Sequence, residues 1–204
     1  MLAVAGLTLW RGTTCLFEDL SFQVAAGTAL LVEGPNGSGK TTLLRVVAGL
    51  TLPESGAVTW RGSDFRQQAR DGRLRLAFSG HALALKAELS TRMNLEFFAR
   101  LAGVPGKIEE ILALTGLSAC ADLDVRVLSA GQKRRAALAR VLLSKAELWL
   151  LDEPQTNLDA AGREFLEAAV RGHLARGGTA MIAAHQAVDL SGAPATRLRL
   201  GDAQ

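Results

Sequence analysis

A glycine-rich segment near the start of the chain lies between an apolar stretch and a helical pattern. It reads Gly34-Pro35-Asn36-Gly37-Ser38-Gly39-Lys40-Thr41-Thr42 and matches the pattern G-x-x-x-x-G-K-S/T at every fixed position. Residues 28–32 before it predict a buried strand, and residues 43–50 after it predict a helix that is closed by a glycine. In this setting the backbone N–H groups of the loop and the start of the helix can surround phosphate oxygens. The segment therefore predicts a nucleotide site, and its strand and helix neighbours argue against a chance glycine-rich turn.

The same pattern assigns roles to two side chains. Lys40 is expected to reach the β- and γ-phosphates, and Thr41 is expected to offer its hydroxyl to Mg²⁺. The other residues of the segment, 34–39 and Thr42, are expected to contribute to nucleotide binding with the loop itself.

A second motif places two carboxylates at the end of a buried strand. It reads Leu148-Trp149-Leu150-Leu151-Asp152-Glu153-Pro154. Asp152 suits the Mg²⁺ site because a hard dication prefers carboxylate oxygen, directly or through water. Glu153 can face the γ-phosphate and act on the attacking water as a general base. A strand that ends in a solvated acidic turn is common, so the motif gains its weight from its pairing with the phosphate loop.

Strands and helices alternate along most of the chain. Strands at residues 2–9 and 16–24, joined by a turn at 11–14, predict an N-terminal antiparallel patch. Further strands are expected at residues 57–60, 74–78, 148–151, 179–184 and 198–200, with helices at 130–144 and from 160 to about 175. Residues 61–73 are expected to form a polar connection. Strand-then-helix alternation around a phosphate loop predicts an α/β fold whose core sheet is mainly parallel and is covered on both faces.

The region from about residue 81 to residue 128 differs from the rest because it carries no strand signal. Helical periodicity is present at residues 94–101 and 108–114. We expect an inserted helical subdomain here, within one nucleotide-binding domain that covers residues 1–204.

Composition narrows the classes of partner and compartment. The net charge is only +3, with both signs spread along the chain, so we expect no nucleic-acid partner. Cys15 and Cys120 lack metal-ligand or C-x-x-C spacing, which predicts free thiols in the cytosol. The longest uncharged apolar run is far shorter than the roughly 18–20 residues of a spanning helix, and the start of the chain is not typical of a signal peptide. If the protein acts at a membrane, we expect another chain to span it.

A third motif identifies a family. The segment Leu128-Ser129-Ala130-Gly131-Gln132-Lys133-Arg134-Arg135 resembles the LSGGQ signature of ATP-binding-cassette ATPases, with Ala130 in place of a glycine. Ser129 is typical of a helix N-cap, whose hydroxyl and first helical N–H groups form an anion site. Taken alone, the octapeptide is equally consistent with a simple capped helix. The resemblance implies that Ser129, Gly131 and Gln132 contact ATP held by a second copy of the chain, so that ATP joins a homodimer.

Two later segments extend the resemblance over almost the whole chain. Thr156-Asn157-Leu158-Asp159 resembles the family's dimer-contacting loop, which implies that Asp159 lies near the shared nucleotide. His185 follows an apolar strand, as the histidine of the family's switch motif does. A lone histidine after a strand is more often an ordinary surface residue, but the order of motifs favours a contact to the γ-phosphate and the region of Glu153.

Two positions depart from the family pattern. The glutamine that usually ends the strand before the helical subdomain is missing, and His81 takes its place. His81 either substitutes for that glutamine near the metal or only packs in a hinge. The aromatic residue that commonly stacks on adenine should fall near Arg11, whose guanidinium plane could stack instead. Trp10 is one residue away, and it either stacks on the base or packs in the core as a strand residue.

Within the superfamily, the chain is most similar to the ATP-binding subunits of the haem exporters of cytochrome c maturation. The similarity rests on Arg11-Gly12, on Gly80-His81 before Leu85-Lys86-Ala87-Glu88-Leu89, and on the signature and carboxylate motifs quoted above. Ala82 departs from that family, which usually has a glutamine there. The resemblance implies an ATPase on the cytoplasmic face of the inner membrane, bound to integral membrane transporter subunits.

Three other classes of ATP-binding-cassette protein are alternatives. A transporter ATPase for another substrate differs only in its membrane partner, so the sequence discriminates poorly against it. A cassette ATPase of DNA repair would need a long coiled-coil insertion, yet residues 43–127 contain no sustained heptads. A ribosome-acting protein of this family would normally carry two cassettes in one chain.

Several apolar residues are expected in part to form a groove for a short helix of the membrane subunit. They are Leu83, Leu85, Leu89, Phe97 and Phe98.

Overall fold

The computed structural model describes residues 1–185 and 188–201. The strands in chain order are β1 Leu2–Arg11, β2 Thr14–Val24, β3 Ala29–Glu33, β4 Ser55–Trp60, β5 Ser63–Asp64, β6 Leu76–Ser79, β7 Leu148–Asp152, β8 Thr179–Ala183 and β9 Ala195–Arg199. The helices are α1 Lys40–Val47, α2 Phe65–Arg70, α3 Thr91–Leu101, α4 Ile108–Leu114, α5 Ala130–Leu143 and α6 Ala160–Ala175. Short 3₁₀ turns occupy Pro105–Lys107, Ser118–Cys120 and Val125–Val127.

The strands form two sheets. The larger has the order β6-β7-β8-β3-β9, and every neighbouring pair in it is parallel. The smaller has the order β2-β1-β4-β5 and is antiparallel. The expected α/β fold with a parallel core sheet and an N-terminal antiparallel patch is confirmed. Strand order is the part that sequence periodicity could not supply, because it depends on which chain-distant strands pair.

The strands β3, β7 and β8 of the parallel sheet are covered on both faces, which explains why they are apolar runs without alternation. The edge strand β9 is largely exposed. Leu148 and Leu150 of β7 face one cluster, which also contains residues of α1 and of the antiparallel sheet. Trp149 and Leu151 face the opposite cluster, which contains residues of α5 and α6. Successive side chains of a strand point to opposite faces, so one continuous apolar run fills two cores.

The expected helical region packs around a third cluster. Its buried residues come mainly from α3, α4, one side of α5 and the 3₁₀ turns Ser118–Cys120 and Val125–Val127. The helix α3 begins before the predicted position because Ser90 caps it, with Oγ accepting from the backbone N–H of Met93 at 3.1 Å. Cys120 is a free thiol inside this cluster, and burial raises its pKa above 9.0.

One helix was not predicted. The polar connection at residues 61–73 contains β5 and the short helix α2. Asp64 caps α2, since its Oδ1 accepts from the backbone N–H of Gln67 at 2.8 Å. Among the described residues, no helix is long and apolar enough to cross a membrane.

Candidate nucleotide and hydrolysis site

The phosphate loop connects β3 to α1, as its sequence context predicted. Two glycines have conformations that other residues would strain. Gly39 is the N-cap of α1 and is left-handed, with φ 92°. Gly34 has φ 146°, and a Cβ there would lie 2.3 Å from the carbonyl oxygen of Leu200 and 2.7 Å from Oγ of Ser38. The chain can therefore make this tight turn only with glycine at residue 34.

Lys40 spans the loop from the first turn of α1. Its side chain is buried, and Nζ donates to the carbonyl oxygens of Gly34 at 2.7 Å and Pro35 at 2.8 Å. Burial lowers the pKa of this ammonium, while the charges of Glu153 and Asp152 act in the opposite direction. A flexible cation at this place can exchange loop carbonyls for phosphate oxygens.

Thr41 and Asp152 meet across the junction of α1 and β7. The hydroxyl of Thr41 donates to Oδ1 of Asp152 at 3.0 Å. Asp152 is only 1% exposed, and its Oδ2 has no hydrogen-bond partner. Burial raises the pKa of Asp152, and the Thr41 hydrogen bond and the nearby His81 partly offset that effect. An orphaned carboxylate oxygen beside a hydroxyl is a pair that fits a hard cation such as Mg²⁺.

The described residues contain no cluster of three His, Cys, Asp or Glu side chains that could hold a metal alone. A Mg²⁺ ion at Thr41 and Asp152 would therefore take its other ligands from phosphate and water, as this hydrated ion usually does.

Glu153 follows β7 in a strained backbone conformation. Its φ is 46°, a left-handed value that costs a non-glycine residue about 1–2 kcal/mol. Its backbone N–H donates to the carbonyl oxygen of Ala183 at 2.7 Å. In the side chain, Oε1 lies 2.9 Å from Nε2 of His185, and Oε2 accepts from the hydroxyl of Thr156 at 3.4 Å. The carboxylate is thus held from both sides.

A buried arginine supports this turn, and sequence reasoning did not single it out. Arg134 in α5 donates to the carbonyl oxygens of Gly80, Asp152, Glu153 and Pro154. It is 4% exposed, and burial lowers its pKa, although the guanidinium remains charged at neutral pH. The signal was present: Arg134 precedes Leu138 and Val141 by four and seven residues, so it lies on the buried side of the helix.

These groups converge on one open cavity of about 300 Å³. It is lined by Arg11, Leu16, Asn36, Gly37, Gly39, Lys40, Thr41, Thr42, His81, Glu153 and His185. His81 is one of these lining residues, and its Nε2 lies 3.7 Å from Oδ2 of Asp152. The cavity therefore brings together part of the loop, Glu153 and both histidines, which the sequence had indicated separately. Asp152 is not among the lining residues, and it contacts the site through Thr41 and His81.

The structure distinguishes Arg11 from Trp10. Arg11 lines the cavity, and Trp10 is not among the residues that line it. Core packing of Trp10 is contradicted, because this penultimate residue of β1 is 45% exposed. The backbone N–H of Trp10 donates to Glu54 at 3.2 Å.

The signature segment begins α5 as expected. Ser129 is the N-cap, and its Oγ accepts from the backbone N–H of Gln132 at 3.2 Å. The Gln132 side chain accepts in return from the backbone N–H of Ser129 at 2.9 Å, which completes a capping box. Gly131 lets the helix approach the next loop, since a Cβ there would lie 3.0 Å from the carbonyl oxygen of Asn157.

Asp159 caps α6 and is tied to α5. Its Oδ1 accepts from the backbone N–H of Gly162 at 2.8 Å and from Nη2 of Arg135 at 2.6 Å. The Arg135 hydrogen bond is the main reason that the pKa of Asp159 is lowered. Neither Asp159 nor the signature residues Ser129, Gly131 and Gln132 are among the residues that line the cavity.

Comparisons with known proteins agree with this geometry. Residues 17–156 match the sequence model of the ABC transporter family. Cytochrome c biogenesis ATP-binding export proteins CcmA are similar over nearly the full length. That of Methylococcus capsulatus is 43% identical over 94% of both chains, and that of Pseudomonas aeruginosa is 41% identical over 97% of this chain and 99% of its own. That of Vibrio cholerae is 42% identical over 99% of both chains.

Solved structures share the fold. A putative ABC transporter ATP-binding protein from Pyrococcus furiosus superposes with a TM-score of 0.82 at 23% identity, over 98% of this chain and 96% of that one. An ATP-binding subunit of an ABC transporter gives a TM-score of 0.78 at 24% identity, over 91% of this chain and 79% of that one. The chain belongs to the ABC transporter family of ATPases, and within it to the family of the cytochrome c biogenesis ATP-binding export proteins.

Proposed function

We propose that this ATPase drives a membrane exporter that serves cytochrome c biogenesis, with haem as the exported molecule. The observation that carries the proposal is the convergence of Lys40, Thr41 and Glu153 on one cavity. Its relatives, named as export proteins of cytochrome c biogenesis, supply the process. Export of another small molecule is the alternative, because ATP hydrolysis in this cavity could drive the export of either molecule.

Residues in and next to the cavity have separate roles in phosphoryl transfer. The loop N–H groups and Lys40 bind the phosphates, with Nζ leaving the carbonyls that it now contacts. Thr41 and Asp152 would hold Mg²⁺, which supplies charge neutralisation to the β- and γ-phosphates. Glu153 accepts a proton from the attacking water and orients it toward the γ-phosphate. His185 holds Oε1 of that carboxylate and can donate to the γ-phosphate.

A complete site requires two chains in this proposal. Ser129, Gly131 and Gln132 form an N-terminal helix turn outside the chain's own cavity. We infer that this turn faces the γ-phosphate held by a second copy, with Asp159 at the contact between copies. ATP then links two identical subunits.

The protein would act from the cytoplasmic face of the inner membrane, bound to integral membrane subunits. Residues 1–204 would form one nucleotide-binding domain, with a helical subdomain at about 81–128 that contacts the membrane partner. Support comes from the apolar side chains that α3 leaves exposed: Met93 at 51%, Phe97 at 57% and Leu101 at 70%. Leu83, Leu85, Leu89 and Phe98 are partly buried, so they would pack the subdomain and only border such a contact.

The shared-site proposal is tested with Glu153→Gln. This variant should bind ATP, hydrolyse it on the order of 10²-fold more slowly and accumulate as an ATP-bound dimer in light scattering. Lys40→Ala should instead weaken ATP binding. The matched control is Glu164→Gln, which changes an exposed glutamate of α6 and should behave as wild type. A Glu153→Gln protein that stays monomeric with ATP and Mg²⁺ would refute the shared site.

The assignment to cytochrome c biogenesis needs a cellular test. Deleting the gene in a host that makes c-type cytochromes should abolish covalent haem attachment, while other haem proteins remain normal. Wild type should rescue the deletion, and Lys40→Ala should not. Normal holo-cytochrome c levels in a deletion strain without a second copy of the gene would rule out a role in cytochrome c biogenesis. That result would not contradict the assignment as an ATPase.

A further inference from the structure

Arg134 connects three segments that meet at the cavity. Its Nε donates to the carbonyl oxygen of Pro154 at 3.2 Å, and Nη1 donates to that of Gly80 at 3.1 Å. Its Nη2 donates to the carbonyl oxygens of Asp152, at 2.9 Å, and Glu153. Arg134 therefore satisfies four main-chain acceptors from within α5.

The contacts with residues 152–154 determine the path of the turn that carries Glu153. Carbonyl oxygens of successive residues normally diverge in an extended strand. Here all three turn toward one guanidinium, and Glu153 takes its left-handed conformation between them. The planar fork of arginine offers donors in fixed directions, which a lysine cannot reproduce.

The contact with Gly80 extends to the segment that carries His81, which lines the cavity. Gly80 immediately precedes His81, whose Nε2 lies 3.7 Å from Oδ2 of Asp152. The same guanidinium thus fixes the chain before His81 and the chain around Glu153.

The first turn of α5 is tied to the loop after β7 at two further points. Gly131 packs against the carbonyl oxygen of Asn157, and Arg135 contacts Asp159 at 2.6 Å. The Ser129 end of α5 is therefore joined to residues 153–159 through Arg134, Gly131 and Arg135, so we expect a displacement of that end to reach the turn at Glu153.

We propose that Arg134 is a positioning residue for ATP hydrolysis. It holds Glu153 and the chain before His81 in a fixed relation to the Ser129 turn of α5. When Ser129 of one chain contacts a nucleotide bound to a second copy, α5 and Arg134 carry the resulting shift to Glu153 of the first chain. The inference rests on the proposed roles of Glu153 and Ser129.

The test compares Arg134→Met with Arg140→Met in the full-length chain. Arg140 is a matched control, since this partly buried arginine of α5 donates to Phe78 O at 2.9 Å and lies 5.1 Å from the Phe98 ring centroid. Neither of these contacts involves the turn at Glu153. Arg134→Met should lower kcat by about 10-fold or more and change the dissociation constant of ATP by less than about 3-fold. Arg140→Met should keep kcat within about 3-fold of wild type, whatever its effect on thermal stability.

A double-mutant cycle separates positioning from general loosening of the fold. If Arg134 acts through Glu153, adding Arg134→Met to Glu153→Gln should change the residual rate by less than about 3-fold. An equal loss in both backgrounds, or an equal loss in Arg140→Met, would overturn the inference. If Arg134→Met does not fold, Arg134→Lys serves the same test, because lysine keeps the positive charge but lacks the planar guanidinium and its fixed donors.

The outcomes also separate this inference from the proposed function. If the Glu153→Gln protein hydrolyses ATP at the wild-type rate, Glu153 is not the general base. Both the proposed hydrolysis mechanism and the role of Arg134 are then contradicted. A slow Glu153→Gln protein beside a fully active Arg134→Met protein overturns only the role of Arg134.

Discussion

Nε2 of His185 lies 2.9 Å from Oε1 of Glu153, although the two residues follow different strands. Glu153 comes directly after β7, and His185 comes two residues after β8. These strands are parallel neighbours, so their carboxyl ends meet at one edge of the sheet. The pairing of two strands thus places an imidazole against the proposed general base.

Replacing His185 should slow hydrolysis more than it weakens ATP binding. His185→Ala removes the group that fixes Oε1 and that can donate to the γ-phosphate, so we expect kcat to fall by about 10- to 100-fold. Steady-state kinetics and nucleotide titration measure the two quantities. Thr156→Val is the comparison, because it removes only the longer contact to Oε2 at 3.4 Å and should cost less. A larger loss in Thr156→Val would contradict the role of His185.

Asp152→Asn should stabilise the free protein while it abolishes hydrolysis. Oδ2 of Asp152 is buried without a hydrogen-bond partner, so the ionised carboxylate is poorly solvated in the absence of a cation. The amide removes that charge and can still accept from Thr41. We expect the Tm in EDTA to rise by about 2–4 °C, which corresponds to about 1 kcal/mol for a chain of this size.

The control for Asp152 is Thr41→Val, which removes the hydrogen bond to Oδ1 but keeps the buried charge. That variant should lower Tm. A lower Tm in Asp152→Asn as well would mean that the carboxylate stabilises the fold and would contradict the interpretation of its orphaned oxygen.

His81 lines the cavity and is predicted to assist hydrolysis. Its Nε2 is 3.7 Å from Asp152, and its side chain is 62% exposed, so it has room to reach water or phosphate. His81→Ala should reduce hydrolysis more than ATP affinity, and His81→Gln should retain more activity because an amide can still hydrogen-bond there. The rates should be measured with the membrane partner present. Unchanged hydrolysis in His81→Ala would leave the residue only a packing role in the hinge.

The sequence predicted those parts of the site that are encoded by consecutive residues. The phosphate loop carries its own glycines and its own helix start, so its conformation follows from one short segment. Ser129 and Gln132 form their capping box within four residues, which is why the N-cap was predictable.

Contacts between distant segments could not be predicted in the same way. Arg134 meets residues 80 and 152–154 only after β6, β7 and α5 are packed together. The placement of Arg11 in the cavity and of Trp10 outside it depends on how β1 and β2 meet the loop, and alternation along one strand did not decide it. Helix α2 was missed because its cap, Asp64, lies in a segment whose charges are typical of a loop.

The third histidine of the chain lies away from the nucleotide cavity. His173 of α6 is 5% exposed, and its ring stacks on Trp149 of β7 with centroids 4.0 Å apart. Its Nε2 lies 3.2 Å from the carbonyl oxygen of Thr179, so Nε2 carries the proton of the neutral ring. Burial lowers the pKa of His173 below 6.5, and the charge of Arg176 acts in the same direction.

A lowered pKa means that the unfolded chain binds a proton at His173 more readily than the folded chain does. The stability contributed by neutral His173 is therefore present above pH 6.5 and is lost as the pH falls through the folded-state pKa. The loss of stability has a limiting slope of about 1.4 kcal/mol per pH unit.

His173→Phe keeps an aromatic ring against Trp149 and cannot titrate, so its free energy of unfolding should fall less between pH 7.5 and 5.5 than that of the wild type. Urea denaturation of both proteins at the two pH values measures the difference, and His173→Gln repeats the test with a donor retained toward Thr179. Because the other titrating groups are common to the three proteins, parallel losses of stability would show that protonation of His173 is not what destabilises the fold in acid.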